Sequence, residues 1–266
     1  MFDLAGEVAV VVGGTGVLGG AIAEALGAAG ASVAILGRNQ FRGESRVAGL
    51  RVNGCKAAFF CADTTHRQEL TSAHQAILTS LGNPTILVNA AGGNDPKFTL
   101  NSDRPLEEIG PSDWAACFDS NLVGGVVLPC QEFGPAMVQR GKGSIINIAS
   151  VAAHLPLSRV VAYSAAKAAV LNFTLFLARE WGSKGVRVNS ITPGFFPAEQ
   201  NRRLLINEDG TLTSRARAIY DHTPMQRFGK PEELGGAAVF LASPRASSFV
   251  NGTDIRVDGG FLAQTI

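Results

Sequence analysis

Two kinds of apolar pattern alternate along this chain. Short runs of consecutive apolar residues, such as the valine-rich one ending at Val12, are followed by longer apolar-rich stretches such as 17–29. A short continuous run bounded by glycines suits a strand buried on both faces, and a longer stretch behind it suits a helix. On this pattern strands are expected at 7–12, 32–36, 56–60, 85–89, 144–149, 186–192 and 254–257. Helices are expected over 17–29, 40–49, 66–81, 112–139, 158–182 and 231–242. Thr65 with Gln68 has the form of a capping box for the helix over 66–81, and Pro231 fits the first turn of the last helix. Strand and helix in strict alternation imply an α/β fold, a parallel sheet with helices on both faces. Two segments break the rhythm, 93–111 and 195–229. Each follows an expected strand at the carboxyl edge of the sheet, where open α/β sheets bind ligands, so substrate contacts are expected there, with 195–229 as a lid.

Composition narrows the picture. A chain of 266 residues with 46% hydrophobic content fits one domain over 1–266 with a substantial core. Lys and Arg number 23 against 22 Asp and Glu, so no basic excess points to nucleic acid or an anionic membrane. The four cysteines form no C-x-x-C pair and have no histidine at metal-ligand spacing. They are expected to be buried free thiols in a reducing compartment, with no metal. There is no basic n-region at the amino terminus, and no stretch reads as a membrane span, so the expected address is the cytoplasm.

The 31 glycines change the picture through their positions. Gly14-Thr15-Gly16-Val17-Leu18-Gly19 is a G-x-G-x-x-G turn directly after a strand and at the start of a helix, extended by Gly13. Backbone N–H groups and a helix N-terminus there can meet a pyrophosphate. Methyltransferases and flavoproteins use the same arrangement, so the turn alone leaves those readings open. After the second strand the chain reads Leu36-Gly37-Arg38-Asn39. No carboxylate is present to accept both ribose hydroxyls, whereas Arg38 can pair with a 2′-phosphate, so NADP(H) is preferred and NAD(H) remains possible.

Tyr163 and Lys167 are four residues apart in the helix over 158–182 and so share one face. A free tyrosine titrates near pH ~10, and a neighbouring ammonium and the positive oxidised nicotinamide would both favour its phenolate. Ser150 ends the preceding strand, so a strand-loop-helix return can bring its hydroxyl beside the phenol.

With these groups in hand, the whole chain resembles the short-chain dehydrogenase/reductase family. The resemblance rests on the glycine turn, Asp63, Asn89-Ala90-Ala91-Gly92, Asn121, Ser150, Tyr163 with Lys167, Pro193-Gly194 and Val257-Asp258-Gly259-Gly260. It implies a Rossmann-type doubly wound parallel sheet of seven strands, a secondary alcohol or ketone as substrate, and a homotetramer. It also implies roles. Asp63 would hold the adenine, Asn89 would support the central strand, and Asn121 would anchor a water in the proton relay. Ser150 would polarise the substrate oxygen, Tyr163 would exchange the proton, and Lys167 would also bind the nicotinamide ribose. The cofactor surface would comprise Gly13, Thr15, Gly16, Val17, Leu18, Gly19, Arg38, Asn39, Asp63, Asn89, Ala90, Ala91, Gly92, Tyr163, Lys167, Pro193, Gly194 and Phe196. The chain departs from the family pattern at Val12, at the early position of Gly16, at Ala90 where a second asparagine is commonest, and at Ala198 where a threonine often contacts the carboxamide.

Within the family, the segments Asn89 to Asn94, Pro156 to Tyr163, Gly194-Phe195-Phe196, Glu199 to Arg202 and His222 to Gly229 are similar to those of sugar-acid reductases of the fructuronate and mannonate type. A carboxylate substrate is accordingly expected to meet Asn94, Lys97, Arg159, Asn201 and Arg202. Other carbonyl substrates, such as 3-oxoacyl thioesters or ring ketones, are the rival reading. A non-catalytic NADP-binding sensor is a third, which would have no chemical need for Asn121, Ser150, Tyr163 and Lys167 together.

Overall fold

The structure is a computed structural model and describes residues 1–101, 104–197 and 205–265. Seven strands, β1 (Val8–Val12), β2 (Ser32–Gly37), β3 (Ala57–Cys61), β4 (Ile86–Asn89), β5 (Gly143–Ile148), β6 (Val186–Pro193) and β7 (Asp254–Val257), form one parallel sheet. Its order is β3-β2-β1-β4-β5-β6-β7, and the fold is the expected Rossmann-type one. The helices are α1 (Val17–Ala28), α2 (Gln40–Val52), α3 (Arg67–Ser80), α4 (Pro111–Phe118), α5 (Leu128–Arg140), α6 (Val161–Gly182), α7 (Ser214–His222) and α8 (Gly235–Ala242).

Strand periodicity explains the two layers. Successive side chains point to opposite faces, so Ala9, Val11, Val33, Ile35 and Val88 pack with Ile22 and Leu26 of α1, Leu50 of α2 and Leu241 of α8. Val8, Val10, Val12, Leu36 and Leu87 pack on the other face with Leu70 and Ile77 of α3, Phe133 of α5 and Val170 of α6. Both faces are buried, which is why β1 reads as five valines and alanines without a polar break.

The direction of winding reverses at β1, which pairs with β2 on one side and β4 on the other. The chain leaves β1 and β4 in opposite lateral directions, and a crevice opens at their carboxyl ends. Gly13, following β1, and Ala90 to Gly92, following β4, therefore meet there.

Several expectations need correction. The first turn of α3 is not a Thr65–Gln68 capping box: its N-cap is His66 without a side-chain bond, and the Thr65 hydroxyl instead donates to Asp63 Oδ1 at 2.7 Å. Glu69 accepts the Asp63 N–H at 2.8 Å and so holds the entry to the helix from the other side. The helix expected over 112–139 is interrupted by a π-helical segment, Asp119–Val127. Gly125 permits it, because a Cβ there would lie 2.8 Å from the Ser120 carbonyl. The helix expected from 158 begins at Val161, after Arg159 adopts φ +72°. Segment 195–229 carries helix α7, and 93–111 carries the 3₁₀ turns Pro96–Phe98 and Leu106–Glu108.

Of the cysteines only Cys117 and Cys130 are buried, while Cys55 is half-buried and Cys61 exposed; all four are free. Helix α6 is also long and apolar enough to cross a membrane, with a mean hydropathy of 1.4, contrary to the expectation that no stretch would be. Its composition follows from its place against the sheet, where Ala162, Ala166, Val170 and Leu177 are buried.

Candidate active site

The glycine turn forms a close backbone crossing. Gly13 has φ +76°, and a Cβ there would fall 2.7 Å from the Ala91 nitrogen; one on Gly19 would fall 2.4 Å from the Gly13 oxygen. Only glycine fits such contacts. The turn is closed by Gly16 N–H donating to the Gly13 oxygen at 2.9 Å. Helix α1 then starts at Val17 with no side-chain cap and no acidic residue in its first turn. Its first N–H groups, those of Val17 and Leu18 among them, stand free to receive an anion. Gly16 and Val17 are exposed at the sheet edge.

At the end of β2, Thr15 lies against Gly37, where a Cβ would be 2.8 Å from the threonine oxygen. Arg38 follows, its side chain 79% exposed and its guanidinium 3.5 Å from Asp63. Burial acts to raise the Asp63 pKa, but the Thr65 N–H and hydroxyl and the nearby Arg38 outweigh it, holding the carboxyl below its usual range. Asn39 has a structural task of its own, capping α2 by accepting from Arg42 N–H at 2.9 Å. The residues present thus fit a dinucleotide: a side-chain-free cradle for its phosphates and an exposed cation, Arg38, at the end of β2.

Asn89 ends β4 fully buried and donates to Asn147 Oδ1 at 2.8 Å; Asn147 donates to Thr174 at 2.9 Å, which donates to the Val170 carbonyl at 2.8 Å. This chain of bonds ties β4 and β5 to α6. Asn147 and Thr174 were not foreseen, and an asparagine inside the apolar run of β5 was the available signal.

Asn121 lies in the π-helical segment, fully buried. Its amide accepts the Gly93 N–H at 2.8 Å and donates to the Gly93 carbonyl at 3.0 Å. It thereby clamps the segment that follows β4, and it also donates to the Cys117 carbonyl at 3.0 Å.

Ser150 caps the 3₁₀ turn Val151–Ala153, accepting from Ala152 N–H at 3.2 Å, and stands near enough to the Tyr163 phenol to lower its pKa. Lys167, one turn beyond Tyr163 on α6, is buried; its ammonium donates to the Ile148 carbonyl at 2.8 Å and lies 5.8 Å from the Tyr163 ring centre. Burial pushes the Tyr163 pKa up, opposed by Ser150. Burial likewise lowers Lys167 to about 8. In the protein alone desolvation of the phenol sets the direction, while the expected help to the phenolate, from Lys167 together with an oxidised nicotinamide, belongs to the cofactor-bound enzyme.

Serine, tyrosine, lysine and asparagine thus converge at the carboxyl edge beside the glycine cradle. A hydroxyl and a phenol side by side can together hold a carbonyl oxygen and protonate it. Pro193 and Gly194 close the site on the β6 side, where Gly194 N–H donates to the Val257 carbonyl at 3.0 Å and Phe196 is buried.

The expected substrate residues divide. Asn94 is engaged with Thr99 at 2.6 Å, and Lys97 is exposed on a 3₁₀ turn. Arg159 is exposed just before α6. Asn201 and Arg202, like Ala198, lie outside the described residues. Sequence reasoning missed Arg215 and His222 of α7, which line a cavity of about 440 Å³ together with Leu155 to Ser158 and Phe195. Their helix is short and mostly polar, so its sequence reads as loop.

Comparison with known proteins agrees with this geometry. Residues 15–262 match the family model adh_short_C2, described as Enoyl-(Acyl carrier protein) reductase. The chain is 41% identical over 270 residues to an uncharacterized oxidoreductase, UxuB, of Bacillus subtilis (strain 168), covering 98% of this chain and 96% of that one. A structure from Haemophilus influenzae, provisionally described as a D-mannonate oxidoreductase with bound NAD, superposes with a TM-score of 0.93 at 36% identity, covering 99% and 97% of the two chains. A gluconate 5-dehydrogenase from Burkholderia cenocepacia, in complex with NADP and tartrate, superposes with a TM-score of 0.87 at 33% identity, covering 99% and 98%.

Proposed function

Because the chain belongs to the short-chain dehydrogenase/reductase family of oxidoreductases, we propose that it is an NADP(H)-preferring enzyme that reduces the ketone of a sugar acid, with fructuronate to mannonate as the leading reaction. The observation that carries this is Ser150 next to Tyr163 with Lys167 one turn away, beside the glycine cradle. Support for the substrate comes from the relatives described as acting on mannonate and gluconate. Arg38, with no carboxylate in its place, supports NADP(H), while NAD is the cofactor in one relative and NADP in another.

Bound NADPH supplies the hydride; the remaining work belongs to the chain. Val17 and Leu18 N–H groups at the start of α1 hold the pyrophosphate, Arg38 pairs with the 2′-phosphate, and Asp63 takes the adenine end. Ala90 to Gly92, Pro193, Gly194 and Phe196 bound the nicotinamide end. Ser150 donates to the ketone oxygen and Tyr163 O–H delivers the proton to it. Because burial raises the Tyr163 pKa, the phenol is protonated at neutral pH, as reduction requires. Lys167 orients the nicotinamide ribose, and Asn121 keeps the segment after β4 in register with it. The reading treats 1–266 as one domain with 195–229 as its substrate lid, and places a homotetramer in the cytoplasm with no nucleic acid or membrane partner.

The test is a 340 nm assay of NADPH and NADH oxidation with fructuronate, 5-ketogluconate, fructose and a 3-oxoacyl thioester. Turnover of a keto acid, faster with NADPH, is expected. Turnover of the thioester with none on either acid would overturn the substrate. In the Tyr163→Phe variant, turnover should fall ~10²–10⁴-fold, the usual contribution of a general acid, with NADPH affinity retained; near-normal turnover would overturn the mechanism.

A further inference from the structure

The cavity of about 440 Å³ is walled on one side by Leu155 to Ser158, within the loop that joins Ser150 to Tyr163, and on another by Phe195, next to Gly194. It is thus bounded by the same two segments that frame the reacting groups, and its size suits a six-carbon ligand. Most of its lining is apolar. Arg215 and His222, both on α7, are the exceptions that carry or can carry charge among the described residues.

Arg215 reaches across from α7, its guanidinium 3.4 Å from the Ser158 hydroxyl. Burial disfavours the charge of Arg215, and the positive charge of Arg159 acts in the same direction. Neither arginine has a carboxylate partner among the described residues. A partly buried guanidinium that also feels the charge of a second cation is unfavourable unless an anion joins it. The backbone confirms that Arg159 is held in place. It sits at φ +72°, a left-handed region that strains a non-glycine residue, and its carbonyl accepts from Leu100 N–H at 2.8 Å. Strain of this kind at the mouth of a binding site fixes where the side chain leaves the backbone.

We propose that Arg215 of α7, with Arg159 beside it, is the carboxylate-binding subsite of the substrate pocket, gripping the acid end of an open-chain sugar acid whose ketone lies at Ser150 and Tyr163. The inference rests on the sugar-acid reading above and goes beyond it by locating the specificity on α7. An arginine fork takes a carboxylate in two parallel hydrogen bonds. The Ser158 hydroxyl, already turned to Arg215, completes the corner, and His222 stands in the same cavity to meet the sugar hydroxyls.

The experiment compares kcat/KM for two acids, fructuronate and 5-ketogluconate, with that for uncharged fructose. It uses wild type, Arg215→Ala, Arg215→Lys, Arg159→Ala and the control Arg217→Ala, an exposed arginine on the same helix. NADPH affinity and melting temperature establish that each variant is folded. Loss of one charge-assisted contact corresponds to a ~10–100-fold drop. Arg215→Ala should lower the acid-to-ketose ratio by that factor, mainly through KM for the acid, with partial recovery in Arg215→Lys. A smaller drop is expected in Arg159→Ala and none in Arg217→Ala. If wild type prefers an acid and Arg215→Ala keeps that preference, the subsite is wrong and the sugar-acid reading stands. If wild type shows no preference for either acid over fructose, both fall.

Discussion

Lys167 shows that a residue placed for chemistry can lower stability. Its ammonium is buried with one carbonyl partner, and its pKa falls to about 8. An unfolded lysine titrates near ~10.4, so between these values the unfolded chain holds more protons than the folded one, and stability rises with pH. Below about pH 8 the destabilisation is complete. A Lys167→Met variant is therefore expected to be more stable than wild type at pH 7, by ~1 kcal/mol, and to lose that advantage as pH approaches 10. Melting curves across this range check it; a variant less stable at pH 7 would mean that the bond to the Ile148 carbonyl outweighs the burial. At the other end of the cleft, Arg38 is almost free, held only by Asp63 at 3.5 Å. Arg38→Ala should cost NADPH about 1.5–3 kcal/mol of binding, the worth of a hydrogen bond to a charged group, and NADH far less. Calorimetric titration with both cofactors measures the difference, and equal losses would place Arg38 on parts the two share.

The interrupted helix between α4 and α5 joins local geometry to the site. Its π-helical segment turns Asn121 to the segment after β4, where the amide takes both the N–H and the carbonyl of Gly93. Such insertions are common at functional positions. Gly125 makes room for it beside the Ser120 and Ala91 carbonyls. Gly125→Ala should cost about 1–3 kcal/mol, as overpacking does, and should lower kcat by moving Asn121 off Gly93. Calorimetry and steady-state kinetics on the same preparation test the pair of effects; normal kcat in a destabilised variant would separate the π-helical segment from catalysis.

The sheet order makes one crevice from segments far apart in the chain: Gly13 after β1, Ala90 after β4, Ser150 after β5 and Gly194 after β6. The α6 helix serves two sides of the molecule. One face carries Tyr163 and Lys167 toward the crevice, and the other exposes Leu175 and Phe176, each more than half exposed. Adjacent exposed apolar residues on a helix that passes the hydropathy test of a membrane span suit a contact between subunits. Light scattering should give a tetramer for wild type and a smaller species for Phe176→Glu, while a monomeric wild type would rule out assembly through this face.

Much was decided by sequence alone because it depends on near neighbours. The seven apolar runs mark the seven strands because each strand of a parallel sheet is buried on both faces. The G-x-G-x-x-G turn is local, since only glycine allows the crossing at Gly13 and Gly19. Tyr163 and Lys167 share a face by helical spacing alone. Tertiary structure decided the rest. How far the Tyr163 phenol is desolvated, and so how strongly burial raises its pKa, depends on the packing around it. The Asn89, Asn147 and Thr174 chain crosses three elements, so no spacing announces it. Arg215 meets Ser158 across 57 residues, and a pairing of that kind exists only once packing has brought α7 over the loop between Ser150 and Tyr163.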